Sequence, residues 1–521
     1  QMHAFQPRCI ARAVQRQLAP ASGEVSKSWW IWTDFGSLAF SAARGLSCRK
    51  PVGTTNFSRN FSDVSRAPEP FVPKKVLVVS KVTLLNFESR KAFRKPWDRL
   101  LWAEKAELSK QLGTQGFHMP ELIDSHEKQS ASVARILAAL RERKMDFAVV
   151  TSNMKDPGQW EDFAKHGKYC TTDSTLKSVE DTYTRWANEV CLEWEPKFEA
   201  EQPGDDEEGY WAPESHSSLV GNDLCISAGG DGTFLMASLH NPGRVPVMGV
   251  NTSPGGSVGR LCCCTSEEVG ALLDCLQRGE FEWVRRTRIG INVRPAGSKS
   301  AGRTLVQTAL NEVFVGEKDP CRASVIRVHD GRVWEQFKCS GLIISTATGA
   351  TAWTAGASRI EPRDVVAVMS SLERLHGPAL PFNEMLKQGL DVGKVASAAS
   401  DLITEQILAA GPDAMHMLAR EALCRPGSDR LPFYYQGPSP LEAKSIPPPQ
   451  GGASRPVFSS TFEAGRKLTV VSLASQQSET VMVLDGRVRV PLRRGMEAIL
   501  QARPDRVLWT FAWDKAKPAG K

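Results

Sequence analysis

One short glycine-rich run constrains the fold of this chain more than any other feature: Gly229-Gly230-Asp231-Gly232-Thr233. It follows LCISA, an apolar run typical of a buried strand, and precedes FLMASLH, which is typical of a helix. Glycines at such a turn let the backbone approach a ligand closely, and the N-terminus of the following helix favours phosphate. Asp231 can there accept a proton from a substrate hydroxyl, hold a cation, or only cap the helix.

Predicted strands and helices alternate around this run. The strands are 76–80, 147–151, 223–228 and 245–250, and the helices are 97–113, 129–143, 179–190 and 234–240. This alternation predicts a doubly wound parallel sheet, which binds ligands at the carboxyl ends of its strands. After residue 279 the pattern becomes mainly β, with strands predicted within 305–315, 324–333, 342–345, 468–473, 481–484 and 488–492. Asp485-Gly486 predicts a hairpin turn between the last two.

We therefore expect the fold class α/β + β. An α/β domain at 75–279 carries an acidic, solvated insertion at 191–215, and a β-rich, sandwich-like domain follows at 280–510. Within the β-rich domain the patterning predicts a helical insertion at about 362–425 and a Pro-rich loop at 426–456. Residues 511–521 form a basic tail.

Charge is concentrated at the N-terminus. Residues 1–75 hold 11 basic and 4 acidic side chains, a difference equal to the net charge of +7 of the whole 521-residue chain. The remainder is formally neutral, which argues against nucleic-acid binding. An Arg- and Ser-rich, acid-poor segment predicts an organellar transit peptide at 1–74, with an untargeted tail as the alternative. No apolar run approaches the ~18 residues that cross a bilayer, so we expect a soluble protein without membrane contact.

Three further segments follow the glycine-rich run in order. Gly249–Leu261, which contains Asn251, is a loop at the carboxyl end of a predicted strand. Asn311-Glu312 lies in a strand-like run, where an adjacent amide and carboxylate can bind ribose hydroxyls. Ser340–Trp353 is a strand followed by a loop of small residues.

Together the four segments resemble the NAD kinase family in order and approximate spacing, over roughly residues 75–515. The short runs ALNEVFVGE, CRAS and CSGL are most similar in sequence to the mitochondrial branch of that family. The resemblance implies an α/β domain, a β domain and a site between them, in a homodimer or higher homo-oligomer. It also implies that ATP, with Mg²⁺ or another divalent cation, phosphorylates the 2′-hydroxyl of the adenosine ribose of NAD to give NADP.

The same resemblance assigns site residues, with Asp231 as the candidate base. The residues implied to bind NAD are Asp231, Gly232, Asn311, Glu312, Thr348, Thr351, Ala352 and Trp353. Those implied to lie along the phosphates of ATP are Gly229, Gly230, Gly232, Thr233, Asn251 and Arg322. For Arg322 a solvated strand position is the alternative, and the metal ligands and the choice of ATP or polyphosphate stay open.

The chain departs from the family pattern at several positions. Ser340 stands where Asp is usual, Ala347 where Pro is usual, and Trp353 where Tyr is usual. The run 259–263 is GRLCC in place of the usual Gly-His-Leu-Gly-Phe. Two alternatives therefore stay open: a catalytically silent nucleotide-binding protein, and a lipid kinase that shares the glycine-rich run. The leader and the resemblance favour the mitochondrial matrix, with a plastid as the alternative.

Overall fold

The computed structural model describes residues 69–151, 222–331, 334–376, 382–422, 459–474 and 478–513, except for 240, 242 and 244. All of them lie in the compact unit Cys48–Lys521. The predicted helix 179–190, the acidic insertion 191–215 and the Pro-rich loop 426–456 lie outside the described residues, as does most of the leader.

The first half contains a five-stranded parallel sheet. Its strands are β1 (Lys75–Ser80), β2 (Asp146–Thr151), β3 (Leu224–Ala228), β4 (Val247–Asn251) and β5 (Cys264–Thr265). Their spatial order is β2-β1-β3-β4-β5, and every neighbouring pair is parallel. β1, β3 and β4 are apolar along nearly their whole length because both faces of the sheet are covered.

Helices lie on both faces of this sheet. They are α1 (Leu84–Phe93), α2 (Trp102–Thr114), α3 (Met119–Glu142), α4 (Asp231–Leu239) and α5 (Val269–Arg278). Ile136 of α3 and Leu273 of α5 pack with Val76 on one face. Phe234 of α4 packs with Leu77 on the other face. The predicted doubly wound arrangement is therefore confirmed.

The second half is built mainly of antiparallel strands. They are β6 (Glu282–Pro295), β7 (Arg303–Thr304), β8 (Glu312–Glu317), β9 (Ser324–His329), β10 (Trp334–Cys339), β11 (Gly341–Thr346), β12 (Met415–Arg420), β13 (Ser459–Phe462), β14 (Lys467–Ser472), β15 (Thr480–Leu484), β16 (Val488–Pro491) and β17 (Met496–Ala512). They form two six-stranded sheets, ordered β10-β9-β14-β17-β6-β7 and β13-β12-β11-β8-β15-β16. Ile291 of β6 and Val313 of β8 belong to one apolar cluster, so the two sheets share a core as in a β-sandwich. The predicted β-rich second half is confirmed.

A group of helices interrupts the β-rich half after β11. It comprises α6 (Trp353–Ala357), α7 (Pro362–His376), α8 (Phe382–Lys387) and α9 (Val392–Leu408). The range assigned to the helical insertion extended to residue 425, but residues 415–420 form strand β12. Met415, Met417 and Ala419 alternate into the sandwich core, and this period of two is the signature of a strand.

The two longest strands connect the halves. β6 and β17 pair along almost their whole length, with a register shift between Arg503 and Leu508. Before the shift, Leu500 packs in the sandwich core, and after it Leu508 and Phe511 pack in the cores beside the parallel sheet. Residues 511 and 512, assigned to the basic tail, thus lie in β17.

Other sequence-based boundaries also differ in the structure. The helix predicted at 129–143 begins at Met119 in α3, and the strand predicted within 324–333 ends at His329 in β9. The predicted helix 97–113 is a short 3-10 turn at Trp97–Arg99 followed by α2. The predicted strand 305–315 is interrupted, since β7 ends at Thr304 and β8 begins at Glu312. In the part of the chain that the structure describes, no helix combines the length and apolar character needed to cross a bilayer.

Candidate functional site

The glycine-rich run forms the turn from β3 into α4. A Cβ at Gly229 would lie 2.3 Å from Thr233 Oγ1, and one at Gly230 would lie 2.3 Å from Ser257 Oγ. Only glycine therefore fits these two positions without movement of a neighbour. Apart from its chain neighbours and the backbone of α4, no heavy atom of the described residues lies within 4 Å of a Cβ built at Gly232. The space beside Gly232 is open, which leaves room for a ligand at the N-terminus of α4.

Asp231, the first residue of α4, holds the turn against a second loop. Its Oδ1 accepts the main-chain N–H of Leu261 at 2.8 Å, and its Oδ2 accepts that of Arg260 at 3.2 Å. Each carboxylate oxygen has a further lone pair. The carboxylate is thus fixed in direction and can still accept a proton or a hydroxyl hydrogen bond.

The loop that follows β4 is organised by Asn251. Its Oδ1 accepts the N–H of Ser253 at 3.0 Å, and its Nδ2 donates to the carbonyl of Ser257 at 3.2 Å. Gly259 has a φ of +62°, and a Cβ there would lie 2.3 Å from Asn251 Nδ2. The amide predicted to contact phosphate therefore shapes the loop that holds Asp231.

On the β-rich side, Asn311 and Glu312 lie at the start of β8 above the hairpin turn at Asp485. Asp485 and Gly486 have φ values of +46° and +68°, as the predicted turn requires. The Asp485 carboxylate accepts the main-chain N–H groups of Leu310 at 2.8 Å, Asn311 at 2.8 Å and Glu312 at 3.1 Å. Asn311 Oδ1 and Glu312 Oε2 are buried and have no hydrogen-bond partner among the described residues. These two orphaned acceptors are suited to a ligand that donates hydrogen bonds.

Burial changes the proton affinity of two carboxyl groups here, those of Glu312 and Asp485. Loss of hydration raises the pKa of Glu312 to about 8, and the negative charge of Asp485 adds to the shift. Burial also raises the pKa of Asp485, to about 6, because its three main-chain donors and Arg288 offset only part of the effect. Asp485 thus loses its proton first as the pH rises, and Glu312 keeps one at neutral pH.

The loop after β11 packs directly on Asn311. The main-chain N–H of Thr346 donates to the Asn311 carbonyl at 2.9 Å, and a Cβ at Gly349 would lie 2.0 Å from that same oxygen. Thr348 is buried beneath the loop. Thr351 lies in a 3-10 turn, and Ala352 leads from it into α6.

Trp353 ends this loop with an indole that is 39% exposed. Its ring centroid lies 5.3 Å from that of Phe314, and the Arg420 guanidinium carbon lies 5.3 Å from the indole centroid. A half-exposed aromatic ring held in this way can stack on a flat heterocycle.

Two of the contacts between the two sides lie at this site. Arg260, whose N–H binds Asp231, donates from Nη1 to the Thr351 carbonyl at 3.4 Å. Leu310, directly before Asn311, packs in the same cluster as Phe234 of α4 and Leu261. The structure therefore brings the glycine-rich run, the loop after β4, the Asn311-Glu312 pair and the loop up to Trp353 to one place.

Two sequence-predicted positions lie away from it. Arg322 is exposed, pairs with Asp319 at 3.5 Å, and follows the end of β8 that is opposite to Glu312. That strand runs from residue 312 to 317, which is roughly 17 Å at ~3.3 Å per residue. Ser340, which stands where the family has Asp, precedes β11 and donates its hydroxyl to the Glu421 carboxylate.

Two cations near the site were missed by the sequence analysis. Lys81 directly follows β1, and its N–H donates to the Ala228 carbonyl at 2.9 Å. Its Cβ would lie 3.1 Å from a Cβ at Gly229, and its exposed ammonium has no partner among the described residues. The rule that ligands bind at the carboxyl ends of parallel strands would have found it. Arg286 of β6 interacts with the charge of Asp231, but no local sequence signal connects it to a turn 55 residues earlier.

Comparison with known proteins finds several relatives that are named NAD kinases. No family model matches the chain. The chain is 29% identical over 361 residues to human NAD kinase 2, mitochondrial, covering 62% of this chain and 66% of that protein. It is 26% identical to the Xenopus tropicalis protein of the same name, covering 64% and 74%. An NAD kinase of Methanospirillum hungatei is 35% identical over 156 residues, covering 29% of this chain and 53% of that protein.

The chain thus spans about two thirds of the length of the human relative. Among solved structures, yeast NADH kinase complexed with NADH is similar with a TM-score of 0.42 and 13% identity, over 85% of each chain. By sequence, the resemblance to NAD kinases and to their mitochondrial branch is confirmed.

Proposed function

We propose that this chain is an NAD kinase, which transfers the terminal phosphoryl group of ATP to the 2′-hydroxyl of the adenosine ribose of NAD. One observation carries the proposal. Asp231, fixed by two main-chain N–H groups at the start of a phosphate-favouring helix, lies beside a second set of groups suited to a nucleoside. The sequence relatives named NAD kinase support the same reaction.

Asp231 orients the attacking hydroxyl and receives its proton. A ribose hydroxyl has a pKa far above 7, so proton transfer occurs late, as the new bond to phosphorus forms. The N–H groups of Arg260 and Leu261 fix the carboxylate, so no reorientation is needed in the transition state.

The dinucleotide is held on the β-rich side. The orphaned acceptors Asn311 Oδ1 and Glu312 Oε2 receive hydrogen bonds from ribose hydroxyls or an exocyclic amine. The exposed face of Trp353 stacks on the adenine, which needs only an aromatic surface and tolerates the exchange of Tyr for Trp.

The phosphates of ATP lie over the glycine-rich turn. Its main-chain N–H groups, the positive end of α4 and the open space beside Gly232 suit a triphosphate.

Mg²⁺ enters this scheme bound to the nucleotide. Among the described residues there is no group of three or more His, Cys, Asp or Glu side chains that could hold a metal ion. Mg²⁺ commonly keeps several waters and takes one or two carboxylates together with substrate phosphates. Asp231 is the carboxylate placed to contribute such a ligand. When bound, the ion neutralises charge on the transferred phosphoryl group.

The test is an assay of purified full-length chain with NAD, ATP and Mg²⁺, with NADP quantified by a coupled dehydrogenase. We expect NADP formation that depends on all three components. A folded protein that binds NAD without forming NADP would favour the catalytically silent alternative. Phosphorylation of a lipid alcohol in its place would favour the lipid kinase.

We further propose that the protein works in the mitochondrial matrix as a homodimer or higher homo-oligomer. The mitochondrial names of the vertebrate relatives and the basic segment 1–74 support the location. Fusion of residues 1–74 to a fluorescent protein should direct it to mitochondria, and light scattering should give a multiple of the 57.2 kDa chain mass. Cytosolic fluorescence or a monomeric mass would contradict the respective proposals.

A further inference from the structure

Strand β6 carries three arginines close together, and they differ in what they contact. Arg285 Nη1 donates to Asp413 Oδ1 at 2.7 Å. Arg288 is buried and donates to the carbonyls of Ser238 at 3.0 Å, of Arg506 at 2.6 Å and of Asn241. The Arg286 side chain has no hydrogen bond or ion pair with any described residue, and its Nε is buried without a partner.

The position of Arg286 in the fold is next to the phosphate-favouring turn. It pairs in register with Leu508 of β17, and Leu508 packs with Phe234 of α4 and with Leu261. Leu261 is the residue whose N–H binds Asp231. The Arg286 guanidinium interacts with the charge of Asp231 and with Cys262 and Cys263. Arg286 therefore approaches the candidate base from the β-rich half.

A half-buried guanidinium without a partner is costly, because it has lost hydration and gained no acceptor. Burial lowers the pKa of Arg286 to about 10, with the neighbouring Cys263 and Asp231 opposing the shift. Asp231 does not supply the missing acceptor, since among the described residues its carboxylate accepts hydrogen bonds from the N–H groups of Arg260 and Leu261 and not from Arg286. A bound anion would supply it, and the planar guanidinium fits two oxygens of a phosphoryl group.

We propose that Arg286 binds the phosphoryl group that is transferred beside Asp231. This inference rests on the proposed function. In that step the ribose 2′-oxygen forms a bond to phosphorus, the bond from phosphorus to the ADP oxygen breaks, and the hydroxyl proton passes to Asp231. Arg286 contacts the equatorial oxygens of the phosphoryl group and neutralises their charge during transfer, so its effect falls on kcat more than on KM.

The test compares Arg286→Met, which removes the charge, with Arg286→Lys, which keeps the charge but loses the planar guanidinium that can bind two oxygens at once. We expect kcat for NADP formation to fall by about 1,000-fold in Arg286→Met and by about 30-fold in Arg286→Lys, with less than threefold change in KM for NAD. Arg494→Met is the matched control, because Arg494 is exposed in the turn before β17 and should leave kcat unchanged.

Thermal unfolding separates binding from a merely structural role. Without nucleotide, Arg286→Met should unfold at the same or a higher temperature than the wild type, because an unpartnered, half-buried charge is gone. The stabilisation by MgATP or tripolyphosphate should shrink in the variant. A wild-type kcat in Arg286→Met, or a lower unfolding temperature with unchanged stabilisation by MgATP, would overturn the inference. If the wild type forms no NADP, the proposed function fails by itself, while the tripolyphosphate measurement still tests Arg286.

Discussion

Two carboxylates at the site, Asp231 in the parallel half and Glu312 in the β-rich half, differ in what surrounds them. Asp231 is partly exposed, and each of its oxygens accepts a main-chain N–H. Glu312 is buried, its Oε2 has no described donor, and burial raises its pKa to about 8. Asp485 is buried as well, but three N–H groups donate to it and its pKa rises only to about 6. Hydrogen-bond donors, more than burial, therefore explain why the pKa of Asp485 rises less than that of Glu312, and Glu312 is the carboxyl group that holds a proton at neutral pH.

The largest expected effect comes from a substitution of Asp231. Asp231→Asn keeps the hydrogen bond to one main-chain N–H but removes the proton acceptor, so kcat for NADP formation should fall by about 10²–10⁴-fold. Rates would be measured with saturating NAD and ATP. Asp401→Asn, an exposed position on α9, is the matched control. A kcat within threefold of the wild type in Asp231→Asn would remove Asp231 from the chemistry.

In the β-rich half, Asp485→Ala should mainly lower the free energy of unfolding. It leaves three buried N–H groups without an acceptor, at ~1 kcal/mol or more each, so the free energy of unfolding should fall by about 3 kcal/mol. Urea denaturation measures the loss. Asp485→Asn is the sharper variant, since one oxygen, Oδ1, accepts two of the three bonds and an amide can keep both. Equal losses in the two variants would contradict the assigned geometry.

The pH dependence of stability tests the raised pKa of Glu312. The folded chain holds this proton up to a pKa of about 8, against an ordinary value of 4.5 in the unfolded chain. Between those values the unfolded state binds fewer protons, so stability falls as the pH rises. Asp485, with a pKa of about 6 against 3.8, acts in the same direction at lower pH.

Between pH 6 and 8, Glu312→Gln should therefore lose about 2 kcal/mol less of its free energy of unfolding than the wild type. Denaturant titrations at both pH values give the difference. Glu405→Gln, an exposed position on α9, should follow the wild type. Parallel profiles for Glu312→Gln and the wild type would show that Glu312 ionises normally.

The smallest effect is expected at Lys81, which lies beside the glycine-rich turn. Its exposed ammonium is screened by water, so Lys81→Gln should raise the KM for ATP by about fivefold and leave kcat nearly unchanged. The effect should shrink as salt is added. Lys110→Gln, on the exposed face of α2, serves as the control. A salt-independent KM would indicate that Lys81 does not face the triphosphate.

The fold was predictable where local patterns determine it. The buried strands β1, β3 and β4, the amphipathic part of α3 and the turn at Asp485 each follow from a short stretch of sequence. The strands β12 and β17 were missed, because their alternation is brief or broken by the register shift after Arg503. Short exposed helices such as α8 carry too little apolar pattern to be recognised.

The site was predictable as a set of segments and less so as contacts. Asp231, Asn311, Glu312 and the loop up to Trp353 are brought together, although their roles stay predictions. The groups that act on those residues come from elsewhere in the chain: Asp485 holds the Asn311-Glu312 backbone, and the charge of Arg286 in another sheet interacts with that of Asp231. Such long-range pairings depend on register and packing, which no local pattern encodes.

Helix α4 has an apolar surface on two sides, and this decides how the protein can be divided. Phe234 and Ala237 pack against the parallel sheet, while Met236 and Leu239 pack in the sandwich core. Division of the gene near the codon for residue 280 would produce two fragments with complementary exposed apolar surfaces. Each fragment should be insoluble or molten when it is expressed alone. Co-expression of the fragments should restore a folded particle by complementation, and the glycine-rich turn would then form only on reassembly. The two halves are separate in architecture but pack as one compact unit.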